Sequence, residues 1–198
     1  MKTAGPTVDE SAPLRPTSFV VADSSVKKTR GLPRGDVRLD WEALYERHAE
    51  ELARFMTKLL GDRERAADVV HDTFVRAIRS ADQLRDERAV RPWLFKIAAN
   101  LAQNERHRRK LIAFLPFRGH ERGATDAFDT DAAQIHQALR SIPTDQAIAL
   151  VLHYQSGFSR VEVAALTGVS EEGVKSRLAR GRVNFIAAYR RLERGLAR

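Results

Sequence analysis

Ser159-Arg160-Val161-Glu162-Val163-Ala164-Ala165-Leu166-Thr167-Gly168, then Val169-Ser170 and a long run from Glu171 to Leu192, is the stretch from which the rest of the chain can be read. Ser159 followed three residues later by Glu162 is a capping box and starts a helix. Gly168 can take the left-handed conformation that ends it. Ser170 caps the next helix at once, so the turn between them is too short for anything but a tight helix-turn-helix. On the second helix Val174, Leu178, Gly181, Phe185, Ala188 and Leu192 recur at steps of three and four and predict one buried stripe. The opposite face carries Glu172, Ser176, Ala179 and Arg180, flanked by Lys175, Arg177 and Arg182. Small residues beside long cationic ones suit a helix entering a DNA major groove, because the backbone can approach while Lys and Arg reach phosphates and guanine edges. An αα-hairpin with a solvated basic face fits the same pattern, although the DNA reading is favoured.

Outward from this stretch, the 198 residues hold 34 Lys and Arg against 26 Asp and Glu, a formal charge of +8 that favours a polyanionic partner. Cysteine is absent, which excludes a disulfide framework and a thiolate metal site. No two of the six histidines have the helical i, i+3 or i, i+4 spacing of a metal pair, so neither a metal site nor a cofactor is expected. There is no phosphate-binding glycine loop, nucleophile elbow or zinc-protease helix, which lowers the case for an enzyme. No apolar run reaches the length of a membrane span, and the N-terminus lacks a signal-peptide core; a soluble cytoplasmic protein without membrane insertion is the expectation.

In chain order, residues 1–38 contain four of the seven prolines and no sustained apolar period, and read as a mobile tail. Phe19-Val20-Val21 could dock as a short strand, but a disordered stretch with a few apolar residues is favoured. Asp40 is a helix cap, after which Trp41, Leu44, His48, Leu52, Phe55 and Leu59 form a stripe that stops before Gly61. Asp62 caps a second helix, with a buried row of Ala66, Val70, Phe74 and Ala77 and a far side presenting Asp68, Asp72, Val75 and Arg79. Two carboxylates one turn apart are commonly a solvated face. They also fit a metal or acid–base pair, or an acidic docking surface with an apolar patch at Val75.

Gln83 to Arg91 is a polar loop, and Pro92 sits in the first turn of the next helix, where a missing N–H costs nothing. On that helix Val90, Leu94, Ile97 and Leu101 face one way. Lys96, Asn100, Gln103 and His107 line another side, with Trp93 and Phe95 near. Amides, cations and rings on one surface are what unstacked single-stranded bases require. A structural helix with a core tryptophan and a soluble tail, whose Arg106, Arg108, Arg109 and Lys110 suit the negative end of its own dipole, accounts for the residues equally. Residues 111–131 read as an acidic linker beginning with an apolar island, Leu111-Ile112-Ala113-Phe114-Leu115. From about Ala132, four short helices make a compact all-α module.

Together these pieces resemble the extracytoplasmic-function sigma factors, small two-domain bacterial transcription initiation factors. The stretch from Ala66 to Ala77 resembles the region-two segment that docks on the polymerase clamp helices. Arg91-Pro92-Trp93-Leu94-Phe95-Lys96-Ile97-Ala98-Ala99-Asn100 resembles the segment that melts and reads the minus-ten element. Leu139-Arg140-Ser141-Ile142-Pro143 and Gly157 through Arg182 resemble region four, which reads the minus-thirty-five element.

The resemblance implies an all-α fold of two helical domains joined by a flexible linker: region two at 39–110 and region four at 132–198. It implies that Asp68, Val69, Asp72, Thr73 and Phe74 bind core polymerase, Phe74 more by packing than by contact. Minus-ten contacts fall to Arg88, Arg91, Trp93, Lys96, Asn100, Gln103 and His107. Minus-thirty-five contacts fall to Arg160, Lys175, Ser176, Arg177, Ala179, Arg180 and Arg182. The implied partners are core RNA polymerase (the clamp helices of its beta-prime subunit and the flap of its beta subunit), promoter DNA and an anti-sigma factor.

This sequence departs from the family pattern at His71, usually Gln, at Glu172-Gly173, usually Gly-Thr, and at Ala147, commonly Arg. Two other classes remain as alternatives: a stand-alone helix-turn-helix regulator, which would need a dimer and a palindromic site, and a metal-dependent enzyme built on Asp68 and Asp72.

Overall fold

A computed structural model describes residues 39–84, 86–113 and 130–196. The expected tail, its Phe19-Val20-Val21 segment and residues 114–129 of the linker lie outside the described residues. So do the side chains of the apolar island.

The starts and stops of the first two helices are set by residues adjacent in sequence. Asp40 accepts a hydrogen bond from the Ala43 N–H at 3.0 Å and opens helix α1, Trp41–Leu60. Gly61, at φ +67°, ends it and donates to the Thr57 carbonyl. Asp62 follows directly and accepts from the Arg65 N–H at 3.0 Å, opening α2, Arg63–Arg79. A two-residue turn folds α2 back on α1, so that Leu44, Leu52 and Phe55 meet Ala66, Val70 and Phe74, and Tyr45 lies 4.8 Å from the Phe74 ring. Two short 3-10 turns, Ala81–Gln83 and Glu87–Ala89, lead into α3, Val90–Ala113.

The second module contains α4, Thr130–Ser141, and α5, Thr144–Leu150. The chain then winds one wider turn, Val151–Gln155, in which the Ser156 N–H donates to the Val151 carbonyl five residues back at 3.0 Å. Helices α6, Arg160–Thr167, and α7, Glu171–Leu196, complete it. Gly181 lets α7 lie close on α5: a Cβ there would stand 3.2 Å from two Leu150 side-chain carbons. Beside that contact, the Asn184 amide donates to Gln146 Oε1 at 2.8 Å.

Thus α1–α3 and α4–α7 are the two helical modules the sequence indicates, and no strand occurs among the described residues. Their packing on each other was not foreseen. Helix α3 touches α1 and α2 on one side and α5 and α6 on the other. Phe55, Phe95 and Phe158 form a continuous run of tilted and edge-to-face ring contacts across the boundary, with centroids 5.3 and 5.0 Å apart. Phe158 is 1% exposed, so its burial contributes about 3 kcal/mol. No helix among the described residues is long and apolar enough to cross a membrane.

Candidate nucleic-acid interface

The helix-turn-helix is built by local bonds. The Ser159 hydroxyl accepts from the Glu162 N–H at 3.2 Å, and a Glu162 carboxylate oxygen accepts from the Ser159 N–H at 2.8 Å. These bonds favour the charged carboxylate and hold its pKa below the usual range. Gly168, at φ +70°, stops α6, and the Ser170 hydroxyl accepts from the Gly173 N–H at 3.1 Å to open α7. That bond ties down the turn that Gly173 would otherwise loosen. Val163, Leu166, Val174 and Leu178 are buried between the two helices and fix their crossing.

The buried stripe of α7 falls where the periodicity places it, with Phe185 and Leu192 only partly covered. Lys175, Ala179, Arg180 and Arg182 are exposed and Ser176 is half-exposed, so these five share an accessible surface. Lys175 pairs with Glu172 at 3.2 Å. Arg177 instead turns toward α5 and pairs with Asp145 at 3.2 Å. Arg160 is exposed on α6 and pairs with Glu171 at 3.4 Å, which places an acid beside it at the start of α7.

On α3, Lys96, Asn100, Gln103 and His107 are exposed in one row. Trp93 is partly buried against the core, and Arg88 is exposed in the preceding 3-10 turn. Phe95 departs from expectation: it is fully buried, between Phe55 and Phe158, and offers no face for a base. Asn100 and Gln103 look across a crevice at Asp145, Thr167 and Arg177 of the second module.

Arg91 is the minus-ten candidate with the most partners. Its Nε donates to Glu51 Oε2 of α1 at 3.1 Å, and its Nη2 donates to the other Glu51 oxygen and to the Ser156 carbonyl at 2.6 Å. The guanidinium lies 4.2 Å from the Phe158 ring centre and 5.2 Å from that of Phe95.

On α2, Asp68 and Asp72 are exposed one turn apart and Val69 is half-buried between them. Thr73 and Phe74 are buried, with the Thr73 hydroxyl donating to the Val69 carbonyl at 2.7 Å. Asp68, Val69 and Asp72 form the accessible part of this motif, and Thr73 and Phe74 belong to the core beneath it.

Arg106, expected from its place in the sequence to complement the C-terminal charge of its own helix, instead serves other helices. Arg106 is 5% exposed and reaches the ends of two other helices. Its Nη2 donates to the carbonyls of Leu139 and Ile142, each at 3.1 Å, and of Arg140 at 3.3 Å; its Nη1 points to the Leu59 carbonyl at 3.4 Å. Leu59, Leu139 and Arg140 lie in the last turns of α1 and α4 and Ile142 just beyond α4, where carbonyls lack intrahelical donors, so a planar five-donor group suits them. Burial lowers its pKa to about 10, which leaves it charged at neutral pH. A signal existed: Phe95, Ala98 and Ala102 are buried at steps of three and four, and Arg91 and Arg106 extend that row at both ends. Arg109 follows the same logic, donating to the Leu60 carbonyl at 3.0 Å and to Glu105 at 3.3 Å.

Comparison with known proteins agrees with this arrangement. The family description "Sigma-70 region 2" matches residues 44–112, and "Sigma-70, region 4" matches residues 132–184. The chain is 32% identical over 143 residues to the ECF RNA polymerase sigma factor SigL of Mycobacterium tuberculosis, covering 69% of this chain and 81% of that one. It is 30% identical over 146 residues to the RNA polymerase sigma factor CarQ of Myxococcus xanthus, covering 71% and 84%. Among solved structures, the sigma factor RpoE in complex with the anti-sigma factor NepR from Bartonella quintana shares the fold, with a TM-score of 0.60, 24% identity, and coverage of 76% of this chain and 97% of that one. CnrH in complex with the cytosolic domain of CnrY gives a TM-score of 0.58 at 28% identity, covering 74% and 85%. The chain therefore belongs to the extracytoplasmic-function sigma factors, which bind core RNA polymerase and direct it to specific promoters.

Proposed function

We propose the following division of labour within that family role. Residues 39–110 act as region two and residues 132–198 as region four, with 111–131 joining them; helix α3 runs to Ala113 and α4 begins at Thr130, so the join is shortest at 114–129. Asp68, Val69 and Asp72 bind the polymerase clamp helices, over a base of Thr73 and Phe74. Arg88, Arg91, Trp93, Lys96, Asn100, Gln103 and His107 capture the melted minus-ten strand. Arg160, Lys175, Ser176, Ala179, Arg180 and Arg182 read the minus-thirty-five duplex, joined by Arg177 once it leaves Asp145. The observation that carries this reading is the exposed amide and cation row along α3, on the same chain as a helix-turn-helix whose recognition face is open.

Extruding a base costs a few kcal/mol, which stacking and pocket contacts offset. With Phe95 in the core, Trp93 is the ring in this row available for stacking. The chain performs no covalent step itself and acts in the cytoplasm, where polymerase and promoter meet. Because RpoE and CnrH were each solved with a protein bound, we further propose an inhibitory protein partner for this chain.

Run-off transcription with purified core polymerase tests the reading. Charge reversal of Asp68 and Asp72 together should weaken core binding by roughly tenfold or more. Unchanged binding would move the docking surface elsewhere. Tight, sequence-specific DNA binding by the chain alone, with no effect on polymerase, would favour a stand-alone regulator.

A further inference from the structure

The strongest unexplained feature of the molecule is that a residue expected to meet DNA is bound on one side by its own module, through Glu51, and on the other by Ser156 and Phe158 of the second module. Arg91 leaves α3 and is held by the Glu51 carboxylate, the Ser156 carbonyl and the face of Phe158. Ser156 and Phe158 stand just after the wide turn that ends α5. That turn sends the Ser156 N–H back to Val151 and leaves the carbonyl for Arg91.

The ligands of Arg91 here have the same chemistry as a single-stranded nucleic acid. An anionic oxygen pair stands where a phosphate would, a carbonyl where a base-edge acceptor would, and a ring face where a base would. We infer that Arg91 is a latch which region four and the minus-ten strand contest, so that the packed arrangement is a self-inhibited state of the sigma factor.

Distance reinforces the point. Elements centred near minus ten and minus thirty-five lie about 25 base pairs apart, or about 85 Å of duplex at about 3.4 Å per step. A folded chain of about 160 residues has a radius of gyration of about 15 Å. The described residues of both modules belong to one compact unit, and across its α3–α5 crevice Asn100 and Gln103 face Arg177, a residue of the recognition helix. This closed unit cannot hold both elements at once; it must open, and opening frees Arg91 from Ser156 and Phe158 while Glu51 still orients it. The inference rests on the residue roles proposed above and adds their regulation.

The absence of cysteine makes the test direct. Glu46→Cys on α1 and Ala187→Cys on α7, both exposed and outside the proposed contact surfaces, carry spin labels on the full chain. The chain alone should give one short, narrow distance, which lengthens on adding core polymerase. Glu51→Gln, which loosens the carboxylate that aims Arg91 at Ser156 and Phe158, should shift part of the population to long distances without polymerase. It should also raise the initiation rate at limiting core enzyme by roughly three- to tenfold, a range that allows for the partial exposure of the pair. Glu51→Asp should recover both values. Phe158→Leu, which keeps an apolar side chain but removes the ring face, should act in the same direction as Glu51→Gln and covers the case in which the first variant folds poorly.

Long, broad distances in the unmodified chain would overturn the latch. So would Glu51→Gln and Phe158→Leu variants that match the wild type in both distance and rate. Failure of the underlying reading would look different: no promoter-dependent transcript from any variant, whatever the distances do.

Discussion

The helix-turn-helix of α6 and α7 and the middle helix α3 obey different rules. Each cap and stop of the helix-turn-helix is made by groups within five residues of one another: Ser159 with Glu162, Gly168 and Val169 with Ala164, Ser170 with Gly173. The side chains of α3 are assigned by partners far along the chain. Arg91 reaches Ser156, 65 residues on, and Arg106 reaches Leu139, Arg140 and Ile142, 33 to 36 residues on. A local motif specifies its own geometry, whereas a cation at the end of a buried row takes its meaning from whichever carbonyls the fold brings near it.

The largest expected effect breaks the long-range side of this contrast. Arg106→Met removes the donors from buried carbonyls at the ends of both α1 and α4, and should cost about 3 kcal/mol in urea unfolding. Arg106→Lys should recover little of it, because one ammonium cannot span carbonyls on two helices as a planar guanidinium does. Full recovery by Lys would mean that charge alone, not the geometry of the fork, holds the modules together.

A comparable effect is expected from acid. His136 on α4 is buried near Lys58 of α1, Arg63 of α2 and Arg140 of its own helix, and burial first, then these cations, lower its pKa to about 4. The folded chain therefore resists protonation that the unfolded chain accepts near 6.5. Stability from this residue is complete above about pH 6.5 and is lost as pH falls toward 4, on the order of 3 kcal/mol in all. His48 is shifted in the same direction, chiefly by burial, so the contribution of His136 is read as the difference between wild type and His136→Gln across that range. Parallel pH profiles for the two proteins would show that the site tolerates the imidazolium.

Much of the fold was legible because its determinants are local. Asp40, Gly61, Asp62, Ser159 and Gly168 all cap or stop helices as their types predict. The exposed row Lys96, Asn100, Gln103 and His107 was legible from helical spacing, and so was the Asp68/Asp72 pair. Phe95 was misread because a ring between Leu94 and Lys96 lies at the margin of two faces. Only the arrival of Phe158 from the second module turns that margin into core. For the same reason the shared core could not be read: each module, taken alone, shows a plausible stripe of its own. Thr73 illustrates a smaller version, since its hydroxyl is satisfied by the Val69 carbonyl within the helix and can then be buried without cost to packing.

A middle case lies inside the second module. Gly181→Val would push methyls into the Leu150 and Gln146 side chains, already 3.2 and 3.3 Å from a Cβ, and should cost about 2 kcal/mol. Gly181→Ala should be much milder, since roughly 1 kcal/mol of helix propensity offsets the crowding. The thermal midpoints of the two variants, compared with wild type, separate crowding from propensity.

The smallest effect sharpens the comparison from the local side. Ser159→Ala removes the hydroxyl acceptor of the capping box and should cost about 1 kcal/mol, a fall of about 3 °C in melting temperature for a chain of this size. Ser159→Asp should retain most of that stability, because a carboxylate also accepts the Glu162 N–H, although it faces Glu162 itself. Since both bonds lie within four residues, this loss should add to that of Arg106→Met within about 0.5 kcal/mol. Phe158→Leu and Arg106→Met, by contrast, loosen the same boundary between modules, and their losses should fall short of the sum because the first opening already removes what the second would break. Additivity of both pairs would mean that Arg91 and Arg106 stabilise separate contacts and that the closed unit has no single seam.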